Sequence, residues 1–418
     1  MIIVIFTLLF PPDFGGGATR VMNIAKCMVN LGHEVRVISS VPHYPEGAPL
    51  SKALCFYIEN IEGIKVVRLP TLGLPHKGIL IRVIIFCWYG LFSMLALKMC
   101  KGANKIMSFG PHPFADMSSY LAKIVTGGDL TIDISDIWPE TLELKAKSSL
   151  IKSIFNGLGR FANNIVLNNF ADNLSVYNER ALNFIVRHYN YKKKAVVVYN
   201  SVDTESLVYD RKLKLQKKNL CAAHHICGKG RFVVLYHGII GPYQRVENIV
   251  RVASIEAKDL SRALFIIVGE GENKKKVIKL AQDMHLQNII ILQKLSRKNM
   301  AKILMETDLG LVPIVSENPL AIYVAMPSKA AEFLATGTPI LAPKGSFIGS
   351  VVSASNAGFE VDFNDPNEIY SAIKCSILNS KLHRIRSGCA RELAEKRFSV
   401  KGTLMALNNL LESRKESF

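Results

Sequence analysis

Pro327-Ser328-Lys329-Ala330-Ala331-Glu332-Phe333-Leu334-Ala335-Thr336-Gly337-Thr338-Pro339-Ile340 joins a helix start, one acid and a Gly-Pro stop in a fixed order. Pro327 and Ser328 can open a helix, Glu332 lies one turn in beside the unpaired N-terminal amides, and Gly337 with Pro339 ends the helix before an apolar strand. Free N–H groups and the helix dipole both favour a phosphate at such a start.

The same alternation runs outward in both directions. Ile2 to Leu9 is a continuous apolar run of strand length, after which Val21, Ile24, Ala25, Met28 and Leu31 recur at helical spacing until Gly32 stops them. Further strands are expected at Glu34 to Ser39, Gly63 to Leu69, Lys105 to Phe109, Leu130 to Ile134 and Asn173 to Val176. After Asn200-Ser201-Val202-Asp203 the pattern restarts with Phe232 to Tyr236, Ala263 to Val268, Ile289 to Leu292, Leu309 to Val312, Ile340 to Ala342 and Phe359 to Val361. Such βα repetition predicts two α/β domains with parallel sheets and ligands at the carboxyl ends of the strands. The expected boundaries are 1–200, 201–383 and a terminal helical segment, 384–418, crossing back to the first domain.

The 418 residues suit two domains of roughly 200 residues each. A hydrophobic share of 49% against 21% charged residues describes a globular protein, on the apolar side at a mean hydropathy of +0.20. The net charge of +18 could attract nucleic acid, anionic lipid or anionic substrates. The clusters Lys192-Lys193-Lys194, Arg211 to Lys218 and Lys274-Lys275-Lys276 carry no interleaved aromatic residues, which favours lipid headgroups over nucleic acid, with solvated faces as the plain alternative. The eight cysteines are scattered and fit a reducing cytoplasm. Cys221, His224, His225 and Cys227 match no familiar zinc spacing, and no metal is assigned. Met1 to Phe10 lacks a cationic n-region and reads as a first strand rather than a signal peptide. Val83 to Leu97 is uncharged, short for a membrane span of ~20 residues, and fits either a buried core helix or an element dipping into one leaflet.

In the order Phe10-Pro11-Pro12-Asp13-Phe14-Gly15-Gly16-Gly17-Ala18-Thr19-Arg20, Gly32-His33-Glu34-Val35, Asp136-Ile137-Trp138-Pro139-Glu140, Asn200-Ser201-Val202-Asp203, Gly238-Ile239-Ile240-Gly241, Gly269-Glu270-Gly271 and the Glu332 segment, nearly the whole chain resembles the retaining glycosyltransferases of family 4. The amino-sugar transferase branch of bacterial surface-polysaccharide assembly is the nearest in pattern. The resemblance implies the GT-B architecture, two Rossmann-like domains facing a central cleft. Two positions depart from the pattern: many members carry a second glutamate where this chain has Val324, and a cation pair where it has Ile239 and Gln244, with Arg245 nearby.

The resemblance implies donor-binding roles for Gly15, Gly16, Gly17, Gly238, Arg245, Gly269, Gly271, Ser328 and Glu332, with Glu332 accepting from the ribose hydroxyls. Structural readings stand beside these: a helix-dipole partner for Glu332 and tight turns for the glycines, while Arg20 either adds positive charge beside the glycine loop or faces solvent. Lys329, one turn before Glu332, could meet a phosphate or form an ion pair with Glu332. His112 and Asp136 follow strands and are catalytic candidates, whereas Trp138 reads as a packing residue. With cations and helix amides available and no DxD-type ligand pair, departure of the diphosphate is expected to be metal-independent, with no cofactor. The expected partners are a nucleotide-sugar donor, UDP-linked by preference, a glycan or polyprenyl-diphosphate-linked acceptor, and the inner face of the cytoplasmic membrane. A nucleotide-sugar 2-epimerase and a catalytically silent sugar-nucleotide-binding protein are the alternatives.

Overall fold

The computed structural model describes residues 1–13, 15–44, 47–75, 79–110, 113–141, 149–205 and 231–412. It divides into two units, Met1–Tyr199 with Val400–Phe418, and Asn200–Ser399.

The first unit is built on an eight-stranded sheet of β1 (Ile2–Thr7), β2 (Glu34–Ser40), β3 (Tyr57–Ile61), β4 (Ile64–Leu69), β5 (Lys105–Gly110), β6 (Asp129–Ile134), β7 (Asn173–Val176) and β8 (Lys194–Val197), in the order β3-β4-β2-β1-β5-β6-β7-β8. Its inner strands are apolar along their length because helices cover both faces. Helix α1 (Gly16–Asn30) lays Val21, Ile24, Ala25 and Met28 on β1 and β2. The helices α2 (Ile79–Leu95), α3 (Pro113–Thr126) and α4 (Ser149–Ile165) follow in the chain.

The expectation of a wholly parallel sheet needs correction. β3 runs antiparallel to β4, with Ile61 opposite Ile64 and Glu62 and Gly63 both at positive φ, 51° and 83°. Two positive φ values make the tight turn whose twist suits a hairpin. Glu62 is an unusual residue there, so the turn carries no Asn-Gly or Asp-Gly signature. β8 was also missed as a strand.

Arg20 does not face solvent. It is 4% exposed and grips Asp133 of β6 through Nε at 2.9 Å and Nη2 at 2.7 Å, while Nη1 donates to the Val198 carbonyl at 2.6 Å. Ser175 donates to the same carboxylate at 2.7 Å. The bidentate pair ties α1 to β6 and β7 through a buried, hydrogen-bonded network.

The second unit carries a six-stranded, all-parallel sheet of β9 (Phe232–His237), β10 (Ala263–Val268), β11 (Ile289–Leu292), β12 (Leu309–Leu311), β13 (Ile340–Pro343) and β14 (Gly358–Val361), in the order β11-β10-β9-β12-β13-β14. Its helices include α5 (Val246–Asp259), α6 (Arg297–Glu306), α7 (Ser328–Ala335) and α8 (Ser380–Arg397). Strand order reverses between β9 and β12, the switch point at which such sheets leave a crevice at their carboxyl ends.

The expected terminal segment starts later than residue 384. Helix α8 stays with the second unit, where Ser387 donates to the Gly337 carbonyl, and the return begins at Val400. The helix Val400–Leu411 then places Leu407 and Leu410 in the core of the first unit.

Replacing Arg20 by Leu strands the buried Asp133 carboxylate. The expected loss of stability is about 3–5 kcal/mol, read from denaturant unfolding. An unchanged midpoint would show that the pair is not the tie described.

Candidate functional site

At the switch point of the second unit, β9 ends in Tyr236 and His237, and Gly238 follows at φ 130°. The loops after β9 and β10 meet backbone to backbone: Gly238 N–H donates to the Val268 carbonyl at 2.9 Å and Ile240 N–H to the Glu270 carbonyl at 2.8 Å. A Cβ on Gly269 would stand 1.8 Å from the Gly238 oxygen, and one on Gly271 would stand 2.3 Å from the Ile240 oxygen. No side chain fits at either position, so the Gly-Glu-Gly spacing is set by this approach.

Helix α7 reaches the same place. A Cβ on Gly310 of β12 would lie 2.5 Å from the Phe333 ring, so the missing side chain is what lets Phe333 seat α7 on the strand. The helix starts at Ser328 after Pro327, and no side chain caps its first turn. Its free N–H groups make an anion site at the carboxyl end of the sheet. Asn200 holds the approach to the helix by donating from Nδ2 to the Met326 carbonyl at 3.0 Å.

One turn apart on this helix, Lys329 and Glu332 reach the end of β9. The Lys329 ammonium rests 4.2 Å from the centre of the Tyr236 ring and 2.8 Å from where a Gly238 Cβ would be. Among the described residues it has no ion pair, so a Lys329–Glu332 bridge, one of the two sequence alternatives, does not form. Burial pushes the ammonium down to about 7, against the pull of Glu332. Glu332 moves the other way: burial raises its carboxyl, opposed by Arg297 and Lys329. Its side chain keeps 33% exposure, so water still tempers that shift.

Two residues absent from the sequence reading complete the cluster. His237 is 9% exposed, and its Nε2 stands 3.4 Å from Glu332 Oε2 without hydrogen-bond geometry, leaving a buried nitrogen unpartnered among the described residues. Burial first, and the Lys329 charge second, push this imidazole down to about 3, so it is neutral at neutral pH. Its ring meets Phe333 edge to face at 5.0 Å. A buried polar atom without a partner is uncommon and fits a nitrogen awaiting a ligand hydroxyl or phosphate oxygen. Arg297, exposed at the start of α6, adds positive charge near Glu332. A histidine closing an apolar strand was the only available signal for His237; Arg297 had none, because α6 is distant in sequence.

The remaining candidates fall elsewhere. Arg245 sits in the left-handed region at φ 44°, exposed at the start of α5; its carbonyl accepts from the Asn248 amide at 2.9 Å, and its side chain makes no hydrogen bond or ion pair among the described residues. In the first unit, Gly15 (φ 140°) is the N-cap of α1, the first helix after β1, and Gly16 and Gly17 open its first turn. Asp13 ties this loop down, accepting from the amides of His43 and Tyr44, each at 2.8 Å. Asp136 is exposed after β6 and accepts from Thr141 Oγ1 at 2.9 Å. Trp138 lines a small apolar cavity with Asp116 and Tyr189, in keeping with a packing role. Glu140 is buried against Tyr189, Arg160 and His188, a structural network. Position 324, where a second glutamate would stand, is a Val324 2% exposed. His112 and the four zinc-option residues lie outside the described residues.

Two Rossmann-like units, one with an uncapped helix start, an amine without an ion pair among the described residues and a carboxylate at its switch point, make a two-domain α/β protein. Residues 224–392 match the family described as glycosyl transferases group 1. The chain is 23% identical over 351 residues to the putative colanic acid biosynthesis glycosyl transferase WcaI of Escherichia coli, covering 81% of this chain and 82% of that protein. Its fold matches sucrose-phosphate synthase of Thermosynechococcus elongatus at a TM-score of 0.76, with 13% identity and 98% coverage of both chains. It also matches Anabaena HepE in complex with UDP at a TM-score of 0.71, with 14% identity and coverage of 99% and 100%. The GT-B fold class expected from sequence is the one these structures share.

The lowered Lys329 fixes a sign. Its ammonium discharges as pH rises through about 7, and a bound diphosphate favours the charged form. UDP binding above that pH is therefore expected to take up a proton at Lys329, and affinity to fall as pH rises. Calorimetry in buffers of different ionisation enthalpy reads the uptake. The nucleotide's own titration is common to both proteins, so a smaller uptake in Lys329→Gln assigns the difference to the amine, and equal uptake removes it from the phosphate.

Proposed function

We propose that this protein is a retaining glycosyltransferase that moves a sugar from a nucleotide-sugar donor, UDP-linked by preference, to a lipid-linked surface-glycan acceptor. The observation that carries the reading is the unpaired Lys329 ammonium at the uncapped start of α7, one turn before Glu332, inside the domain matched to the transferase family. Backbone amides and a cation are the groups that a departing diphosphate needs as the sugar gains oxocarbenium character. Glu332 accepts from the ribose hydroxyls in this reading, and His237 offers its neutral nitrogen to the same ligand.

UDP is favoured because a structure of the same fold was solved with it. The surface-glycan acceptor rests on the naming of WcaI for colanic acid biosynthesis. Retention is the expectation of the family resembled: the acceptor hydroxyl attacks on the face the diphosphate leaves, its proton passing to a phosphate oxygen. Lys329, Arg297 and the α7 amides supply the positive field without a metal, so a chelator is expected to leave the rate unchanged. A loss of activity in EDTA restored by a divalent cation would overturn that part.

Calorimetric titration with UDP and GDP, repeated on Glu332→Ala, tests the site. Loss of the two ribose hydrogen bonds is expected to weaken UDP at least about tenfold, with the fold intact by circular dichroism. Labelled donor with polyprenyl-linked acceptor then separates the activities. Anomeric retention in the product supports the proposal, inversion overturns the stereochemistry, epimerised donor without transfer identifies the epimerase, and tight binding without turnover identifies a silent binding protein.

A further inference from the structure

Helix α2 is apolar on both sides, yet its two faces have different fates. Ile85, Tyr89 and Ser93, with Ala96 and Cys100 in the 3-10 turn that continues it, are buried. Tyr89 Oη donates to the Ile38 carbonyl at 2.8 Å and Trp88 Nε1 to the Pro70 carbonyl at 3.2 Å. The opposite stripe, at the same helical spacing, is Ile84, Cys87, Leu91 and Leu95, ending on Lys98, and every one of these is exposed. Leu95 is 72% exposed and Leu91 58%.

The neighbouring helix α3 enlarges the patch. The two pack closely, with Ser93 Oγ donating to Ser118 Oγ at 2.8 Å and Ser118 to the Gly90 carbonyl at 3.0 Å. On the outer side of α3, Ile124 and Val125 are 61% and 67% exposed. Exposed apolar side chains gathered on two neighbouring helices in this way mark an interaction surface.

We propose that the outer faces of α2 and α3 dock on an anionic lipid bilayer, with α2 lying in the interface plane. Charge selects this occupant. The exposed cations Arg82, Lys98 and Lys101 bracket α2, while the only carboxylate in residues 79–126, Asp116, is 3% exposed and bonded to Ser108. A surface apolar along one helix and cationic at its ends matches acyl chains beneath anionic headgroups, whereas a protein partner is usually met with hydrogen-bonding groups, which this stripe lacks. Residues Ile81–Cys100 are long and apolar enough to span. Spanning would tear the Tyr89 face out of the core of the first unit, so the helix lies on the membrane rather than crossing it. The inference stands apart from the transferase reading.

Flotation with vesicles of phosphatidylglycerol and phosphatidylcholine, against phosphatidylcholine alone, tests it on the full chain. Wild type is expected to float with the anionic vesicles. Leu91→Gln, Leu95→Gln and Ile124→Gln combined is expected to abolish flotation, and each of Arg82→Gln, Lys98→Gln and Lys101→Gln to weaken it about fivefold on anionic vesicles only. UDP calorimetry on the same proteins keeps this outcome separate from that of the nucleotide site. No flotation of wild type, flotation unaffected by the triple substitution, or a dimer in light scattering that the triple substitution dissolves without vesicle binding would each overturn the proposal.

Discussion

The contact on which the second unit's site depends is Phe333 lying on Gly310. A Cβ at Gly310 would intrude to 2.5 Å from the ring, so a strand residue with no side chain sets how closely α7 approaches β12. Close packing then turns a backbone detail into chemistry, because the helix cannot shift without losing the ring's contacts. With Phe333 fixed, Lys329 and Glu332 necessarily reach the end of β9, and the same ring orients His237 edge-on at 5.0 Å. The glycines at 238, 269 and 271 serve the same end by letting two loops join backbone to backbone and leaving room for the lysine.

Two ionic arrangements, one in each unit, differ in whether they are complete. Arg20 and Asp133 are both buried, and the guanidinium and carboxylate find their hydrogen bonds within the unit. Nothing is left for a ligand, and the pair works as a tie. At the switch point the amine faces a ring, the imidazole nitrogen has no partner among the described residues, and the carboxylate keeps a third of its surface exposed. Groups held close yet unsatisfied have perturbed ionisation, and an anion with hydroxyls beside it would satisfy all three. Electrostatic incompleteness of this kind is what marks a binding site among the many buried charges of a fold.

Much of this was legible in the sequence because the relevant signals are local. Long apolar runs gave the parallel strands, and Pro327 through Ile340 gave helix, acid and stop in their true places. The hairpin at Glu62-Gly63 was not legible, since its turn uses a residue with no preference for positive φ. The role of Arg20 is illegible for a different reason: whether a helical arginine meets water, a ligand or a strand 113 residues away is decided by packing alone. Arg297 and His237 join the site only through the sheet order, which places the ends of separate strands side by side.

Helix α2 shows the limit of composition in another way. In a helix this apolar on every side, both faces carry residues that a core would accept, so the inside and the outside are hard to read from the sequence. Periodicity cannot separate the Ile85-Tyr89-Ser93 face from the Ile84-Leu91-Leu95 face, and only the fold does so, by anchoring Tyr89 and Trp88 to the backbone of neighbouring segments. That anchoring changes what the apolar run can mean. A free helix of this hydropathy could cross a bilayer, but one committed along its inner face to a packed sheet has only its outer face to offer. The positive charge gathered at its ends then lies where headgroups would meet it, and the excess of lysine and arginine in the chain acquires a local use.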